Sequence, residues 1–209
     1  MAQQEKIREN EGENTMKKKW IFPLLVVAVV LVGCSGKTKK EQSIKNEGVA
    51  LMESKDYAGA IKKFDAALKV KDLNKLNVPE IDILRYRAQA EYLAGDYAAA
   101  DHTYTLLGEV DGDKTEYKNM RVICLSKEGN ELDKAKALFD ETNALKDSGI
   151  GHKEALLELG RAWAKKSSES GDQSYLEQAK AYFAAAAGKE GQVDTQLCDY
   201  IGKFYYVLY

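Results

Sequence analysis

The apolar positions along the chain recur with helical spacing and in a fixed order. In the stretch 55–68, KDYAGAIKKFDAAL, a turn at Lys55-Asp56 is followed by Tyr57, then the small residue Ala60, then Phe64 one helical turn later, then Ala67 and Leu68. Three further stretches repeat the order: Tyr97, Ala100 and Tyr104; Leu132, Ala135 and Phe139; Leu176, Ala179 and Phe183. A four-residue step puts alanine and ring on one face of a helix. A second helical pattern lies upstream, in which a small residue precedes a large one by about one turn. It is carried by Gly48 and Leu51, Ala88 and Tyr92, and Gly160 and Trp163, and starts again at Gly202 and Tyr205. The helix ahead of Leu132 lacks the small residue. These patterns predict helix hairpins, each too small to bury its own apolar face. Small residues let helix axes approach, and Phe64, Tyr104, Phe139 and Phe183 fill the space to the next helix.

The paired patterns, with LLELGRAW at 156–163 as the best match, resemble the tetratricopeptide repeat. Its first helix carries a Trp-x2-Leu-Gly-x2-Tyr signature and its second an Ala-x3-Phe signature. The resemblance implies an all-α protein: an α-solenoid of about four and a half helix hairpins over residues 43–209. The repeat alanines are spaced unevenly and more widely than the family's period of about 34 residues. The additions are expected in loops at 69–80 and in the turn-rich run SSESGDQ at 167–173. In this family the first helices line a concave face. The resemblance puts on that face Arg85, Gln89 and Tyr92, then Asn119, Ser126 and Lys127, then Arg161 and Lys165, and finally Lys203 and Tyr206. Arg forks, amides and tyrosines are the residue types that carry recognition. The expected ligand is therefore a protein or peptide segment with some acidic character. The carboxylate clamp of some family members does not fit, because Val49, Glu116 and Met120 occupy positions beside Lys45 where it needs other residues.

The front of the chain changes its class. From Met16 it reads Met-Lys-Lys-Lys, then an apolar run at 20–32, then Gly33-Cys34-Ser35. A positive start before an apolar core is a secretory signal, and this run is shorter than the roughly 20 residues a spanning helix needs. LVGC at 31–34 resembles the lipobox of bacterial lipoproteins. That resemblance implies a signal peptide at 16–33, cleavage before Cys34, and a thioether-linked lipid on Cys34 that holds the chain on the outer side of a membrane. Ser35 is compatible with an outer membrane in a two-membrane cell or with a single-membrane surface. Residues 1–15, where Glu5, Glu9, Glu11 and Glu13 outnumber Lys6 and Arg8, are read as an upstream mis-start. Residues 34–42, with Lys37, Lys39 and Lys40, are read as a polar tether.

With a formal net charge of −2, nothing basic argues for nucleic acid. Cys124 and Cys198 fall in first helices two repeats apart. Alternate packed helices lie roughly 16–20 Å apart, too far for a disulfide, so both are expected as buried free thiols. Gly36-Lys37-Thr38 lacks the spacing of a phosphate loop. Asp111-Gly112-Asp113 with Glu116 lacks that of a calcium loop and is read as a polar turn. His102 and His152 have no metal-ligating or triad partner at useful spacing. No catalytic residue, metal or cofactor is expected, and the chain is read as non-enzymatic. The alternative function is solute or glycan binding, with Tyr92, Trp163 and the terminal tyrosines stacking on sugar. Trp163 at a repeat-core position counts against it. The last helix, with Tyr200, Phe204, Tyr205 and Tyr209, is expected to pack back on the fourth repeat. Its remaining aromatic surface would be available for self-association.

Overall fold

A computed structural model describes residues 36–69, 78–145 and 148–187. The described residues form eight α-helices and no strand: α1 (Gly36–Glu53), α2 (Tyr57–Leu68), α3 (Val78–Ala94), α4 (Tyr97–Asp111), α5 (Thr115–Glu128), α6 (Leu132–Asn143), α7 (His152–Ser170) and α8 (Gln173–Ala187). Each helix packs on the next in sequence, and α5 also packs on α7.

The turns follow local chemistry. Asp56 caps α2 by accepting from the Gly59 N–H at 2.9 Å, and Asp96 caps α4 by accepting from the Ala99 N–H at 3.1 Å. The residue before each cap is left-handed: Lys55 at φ 65° and its counterpart Gly95 at φ 82°. Glycine adopts that conformation without a Cβ penalty, whereas lysine carries strain there.

The alanine–aromatic pairs all lie on even-numbered helices and all are buried: Ala60 and Phe64 on α2, Ala100 and Tyr104 on α4, Ala135 and Phe139 on α6, Ala179 and Phe183 on α8. Two of the rings meet a glycine on the preceding helix. A Cβ placed on Gly48 of α1 would come within 2.6 Å of Phe64 Cε1, and one on Gly160 of α7 within 2.6 Å of Phe183 Cε1. The same small-on-large seat therefore recurs at both ends of the described chain. The core falls into two clusters, one over α2–α5 and one over α5–α8, and both are packed against by Tyr92 and Met120.

Three expectations need correction. Residues 36–42, read as tether, belong to α1. Their Lys, Gln and Glu residues are good helix formers, and Ile44, Val49, Leu51 and Met52 further along the helix pack on the core and hold it. The run at 167–173 is not a loop, because α7 continues to Ser170 and only Gly171 and Asp172 separate it from α8. Ser167 is buried with its hydroxyl donating to the Asp172 carbonyl at 2.9 Å, and Gly171, at φ 76°, ends the helix. Pro79 and Glu80, placed in the other loop, sit in the first turn of α3, where proline costs no hydrogen bond. Residues 70–77 lie outside the described residues.

A buried polar network crosses the first cluster. Glu91 on α3, 2% exposed at its side chain, accepts from the Thr103 hydroxyl at 2.6 Å and pairs with Arg87 at 3.1 Å. Arg87 also donates to Thr103 at 2.7 Å and to Asp65 on α2 at 2.8 Å. Burial pushes the Glu91 carboxyl above its ordinary value, although Thr103 and Arg87 pull it back.

Candidate functional site

Three of the expected site residues converge from three helices. Tyr92 near the end of α3, Lys127 near the end of α5 and Arg161 in α7 meet around Glu158, three residues before Arg161 on α7. Lys127 lies 3.4 Å from the Glu158 carboxylate, which also takes a hydrogen bond from Arg161. The Lys127 ammonium sits over the Tyr92 ring at 6.0 Å and the Tyr97 ring at 5.5 Å, and the two rings lie 5.7 Å apart. Tyr92 is half-buried, and burial first, then the Glu158 charge, pushes its hydroxyl up to about 12. It remains a neutral donor across the physiological range. The Lys127 and Arg161 side chains are 23% and 32% exposed, so the cluster opens to solvent at its cations while Glu158, at 16%, lies deeper. Lys165, one turn beyond Arg161, is 75% exposed and 3.7 Å from Glu169.

Arg85 and Gln89 belong to a different environment. Arg85 donates to the Tyr117 hydroxyl at 2.8 Å and to Asp111 at 2.6 Å. Asp111 also accepts from Lys114 at 2.6 Å and from Tyr117. Arg85 thus ties down the turn at Asp111-Gly112, which is polar as expected. Gln89 is half-buried on α3. Burial pushes the Asp111 carboxyl up, but the bonds from Lys114, Tyr117 and Arg85 outweigh it and hold the group at about 2. A depressed carboxyl contributes stability that is complete above its unfolded value of 3.8 and is lost as pH falls through about 2. Asp111→Asn is expected to flatten the dependence of melting temperature on pH in that window, as read by circular dichroism.

Asn119 and Ser126 are not available to a partner. Asn119 is fully buried and donates to the Ser148 and Ile150 carbonyls at 2.8 and 2.9 Å, pinning the segment before α7 onto α5. Ser126 is 5% exposed. Both polar side chains face the packed side of α5 because α7 and the segment preceding it cover that side. Asn119→Ala leaves two carbonyls without their donor and is expected to cost about 2 kcal/mol. Chemical denaturation measures this directly. Lys203, Tyr206, Cys34, Cys198 and the terminal aromatic residues lie outside the described residues.

Other sequence candidates resolve into packing. Trp163 is 2% exposed, with Tyr175 tilted against it at 5.3 Å and Lys166 over both rings, so it is sealed from any sugar. Cys124 is a buried free thiol pushed up to about 12 by burial, far from a nucleophilic thiolate at neutral pH. His152 stacks on Phe139 at 4.9 Å, and burial lowers its pKa. A surface pocket of about 290 Å³ opens between α4 and α5 over Tyr104 and Tyr117. Its two cations are engaged, Lys118 with Asp113 at 2.7 Å and Glu141 at 3.2 Å, and Arg121 with Asp101 at 2.9 Å.

Glu158 and Tyr97 went unnoticed as surface residues in the sequence. The signal for Glu158 was its spacing: 158, 161 and 165 fall on one face of α7. Tyr97 was visible only as a repeat marker. No protein-family model matches the chain, and no curated protein matches it in sequence. Among the described residues no helix is long and apolar enough to cross a membrane.

Proposed function

We propose that the chain is a membrane-anchored lipoprotein whose tetratricopeptide-like hairpins form an α-solenoid that binds a protein partner in assembling cell-envelope or surface complexes. One observation carries the binding part: three first helices, α3, α5 and α7, contribute Tyr92, Lys127 and Arg161 to a single, partly exposed cluster. A partner lying across successive hairpins would meet all three. The recurring glycine-on-phenylalanine seat supports the repeat architecture, because a solenoid reuses one packing unit. The anchor rests on the lipobox-like LVGC and the charged, apolar leader before it. The burial of Trp163 favours a protein ligand over a sugar.

The experiment is paired affinity isolation from membranes. The wild-type chain is expected to remain in the membrane fraction and to co-purify one recurrent protein. Cys34→Ser should release the chain from the membrane, and Arg161→Ala should keep it there but lose the protein. A wild-type chain that stays soluble refutes the anchor. An Arg161→Ala chain that retains its partner refutes the surface.

A further inference from the structure

We propose that Asp111-Gly112 is a site of spontaneous succinimide formation and isomerisation in this chain, and that Arg85, Lys114 and Tyr117 hold that reaction in check by binding the Asp111 carboxylate. The pair is the sequence's one Asp-Gly step, and there is no Asn-Gly. Glycine in second place matters because no side chain hinders attack of its backbone nitrogen on the preceding carboxyl carbon. That nitrogen is uncommitted here. At Gly129 and Gly171, which end α5 and α7, the cap N–H bonds back to the Leu125 and Ser167 carbonyls. The Gly112 N–H, which ends α4, has no hydrogen-bond partner among the described residues. Gly112 also stands in the open, at φ 90° with no atom beyond its chain neighbours within 4 Å of where a Cβ would lie. The carboxyl, by contrast, is held. One of its oxygens, Oδ2, accepts from the Arg85 guanidinium at 2.6 Å, the Lys114 ammonium at 2.6 Å and the Tyr117 hydroxyl.

In the reaction the Gly112 nitrogen bonds to Asp111 Cγ, a C–O bond of the carboxylic acid breaks, and the hydroxyl leaves with the amide proton as water. A water molecule then reopens the ring. Opening at the Asp111 backbone carbonyl leaves isoaspartate, whose chain runs through the former side chain and whose free carboxylate sits directly on Cα. No oxidant, reductant or co-reactant is consumed. The acid form reacts, because an ionised carboxylate repels a nucleophile and has no good leaving group. Three donors on Oδ2 favour the ionised form. A carboxyl held at about 2 instead of 3.8 presents roughly fiftyfold less acid at neutral pH. The product's carboxylate lies one bond short of those donors, so isomerisation cuts the tie between α3 and the turn after α4.

The test incubates the full chain in detergent at neutral pH and measures isoaspartate at position 111 over time by mass spectrometry with electron-transfer fragmentation. The folded wild type is expected to isomerise at least about tenfold more slowly than the same chain in guanidinium. Arg85→Ala and Tyr117→Phe, each removing one donor, should each speed the folded chain about fourfold. Arg121→Ala is the control, since it removes an arginine of α5 that pairs with Asp101 instead, and should leave the rate within about twofold. Circular dichroism checks that every variant is folded. Equal rates in folded and denatured wild type overturn the proposal. So do Arg85→Ala and Tyr117→Phe rates no faster than that of Arg121→Ala, or no isoaspartate at position 111 even in guanidinium.

Discussion

Gly160→Ala is expected to lower the melting temperature by about 4–8 °C, corresponding to roughly 2 kcal/mol of overpacking. The new methyl would lie 2.6 Å from Phe183 Cε1 and 2.9 Å from two further ring carbons, well inside contact distance. Phe183 cannot easily yield, being 6% exposed within the α5–α8 cluster. Gly48→Ala is expected to cost at least as much, because Phe64 is fully buried and stacked on Tyr86 at 5.9 Å. The mechanism is checked by a double-mutant cycle. Phe183→Leu makes room for the methyl, so the pair Gly160→Ala/Phe183→Leu should be more stable than the sum of the single losses implies. Additive losses would mean that the glycine matters for its backbone freedom and not for the approach of the ring.

Arg87→Ala is the other large effect. Removing the guanidinium leaves Glu91, 2% exposed, with Thr103 as its remaining partner among the contacts described above. Stranding a buried carboxylate costs about 3 kcal/mol at neutral pH. The sign of the pH dependence separates this from lost packing. Burial already holds the Glu91 carboxyl above its ordinary value, and loss of Arg87 raises it further. The folded state then binds the proton more tightly than the unfolded chain. Stability relative to wild type should therefore be recovered as pH falls through the carboxylate range and be lowest at neutral pH. Guanidinium denaturation of both proteins at pH 7 and pH 5 reads the difference, and a deficit that does not shrink at pH 5 assigns the loss to packing.

What could be read from the sequence, and what could not, follows from where the information lies. Ala60 and Phe64, and their three counterparts, repeat at a helical period, so helix type and burial were both visible. The seat of Phe64 on Gly48 was not: the pattern pointed the ring at the following helix, and only the packing of α2 back on α1 brings it onto the glycine. The start of α1 was hidden by composition: residues 36–42 are polar enough to look like a linker, and the apolar residues that hold the helix lie further along it. The length of α7 was hidden in the same way by SSES, whose Ser170 hydroxyl donates to the Lys166 carbonyl at 2.7 Å and so sits in a helix at little cost. At the candidate site, the family pattern named Tyr92, Lys127 and Arg161 together with Asn119 and Ser126, which the fold buries, because such a pattern assigns helix faces and not the exposure of each side chain. Asn119 misled because its residue type suits both recognition and the pinning of a loop. Only the fold-back of Ser148 and Ile150 onto α5, which leaves no periodic trace, decides between them.

The most direct measurement is photo-crosslinking in cells from position 165, with the probe in place of Lys165, whose 75% exposure places it beside the cluster without disturbing Tyr92. The account predicts one recurrent protein adduct, mapped to an acidic segment of the partner and lost when Arg161→Ala is added. A folded, membrane-bound chain that yields no protein adduct from this position would contradict it.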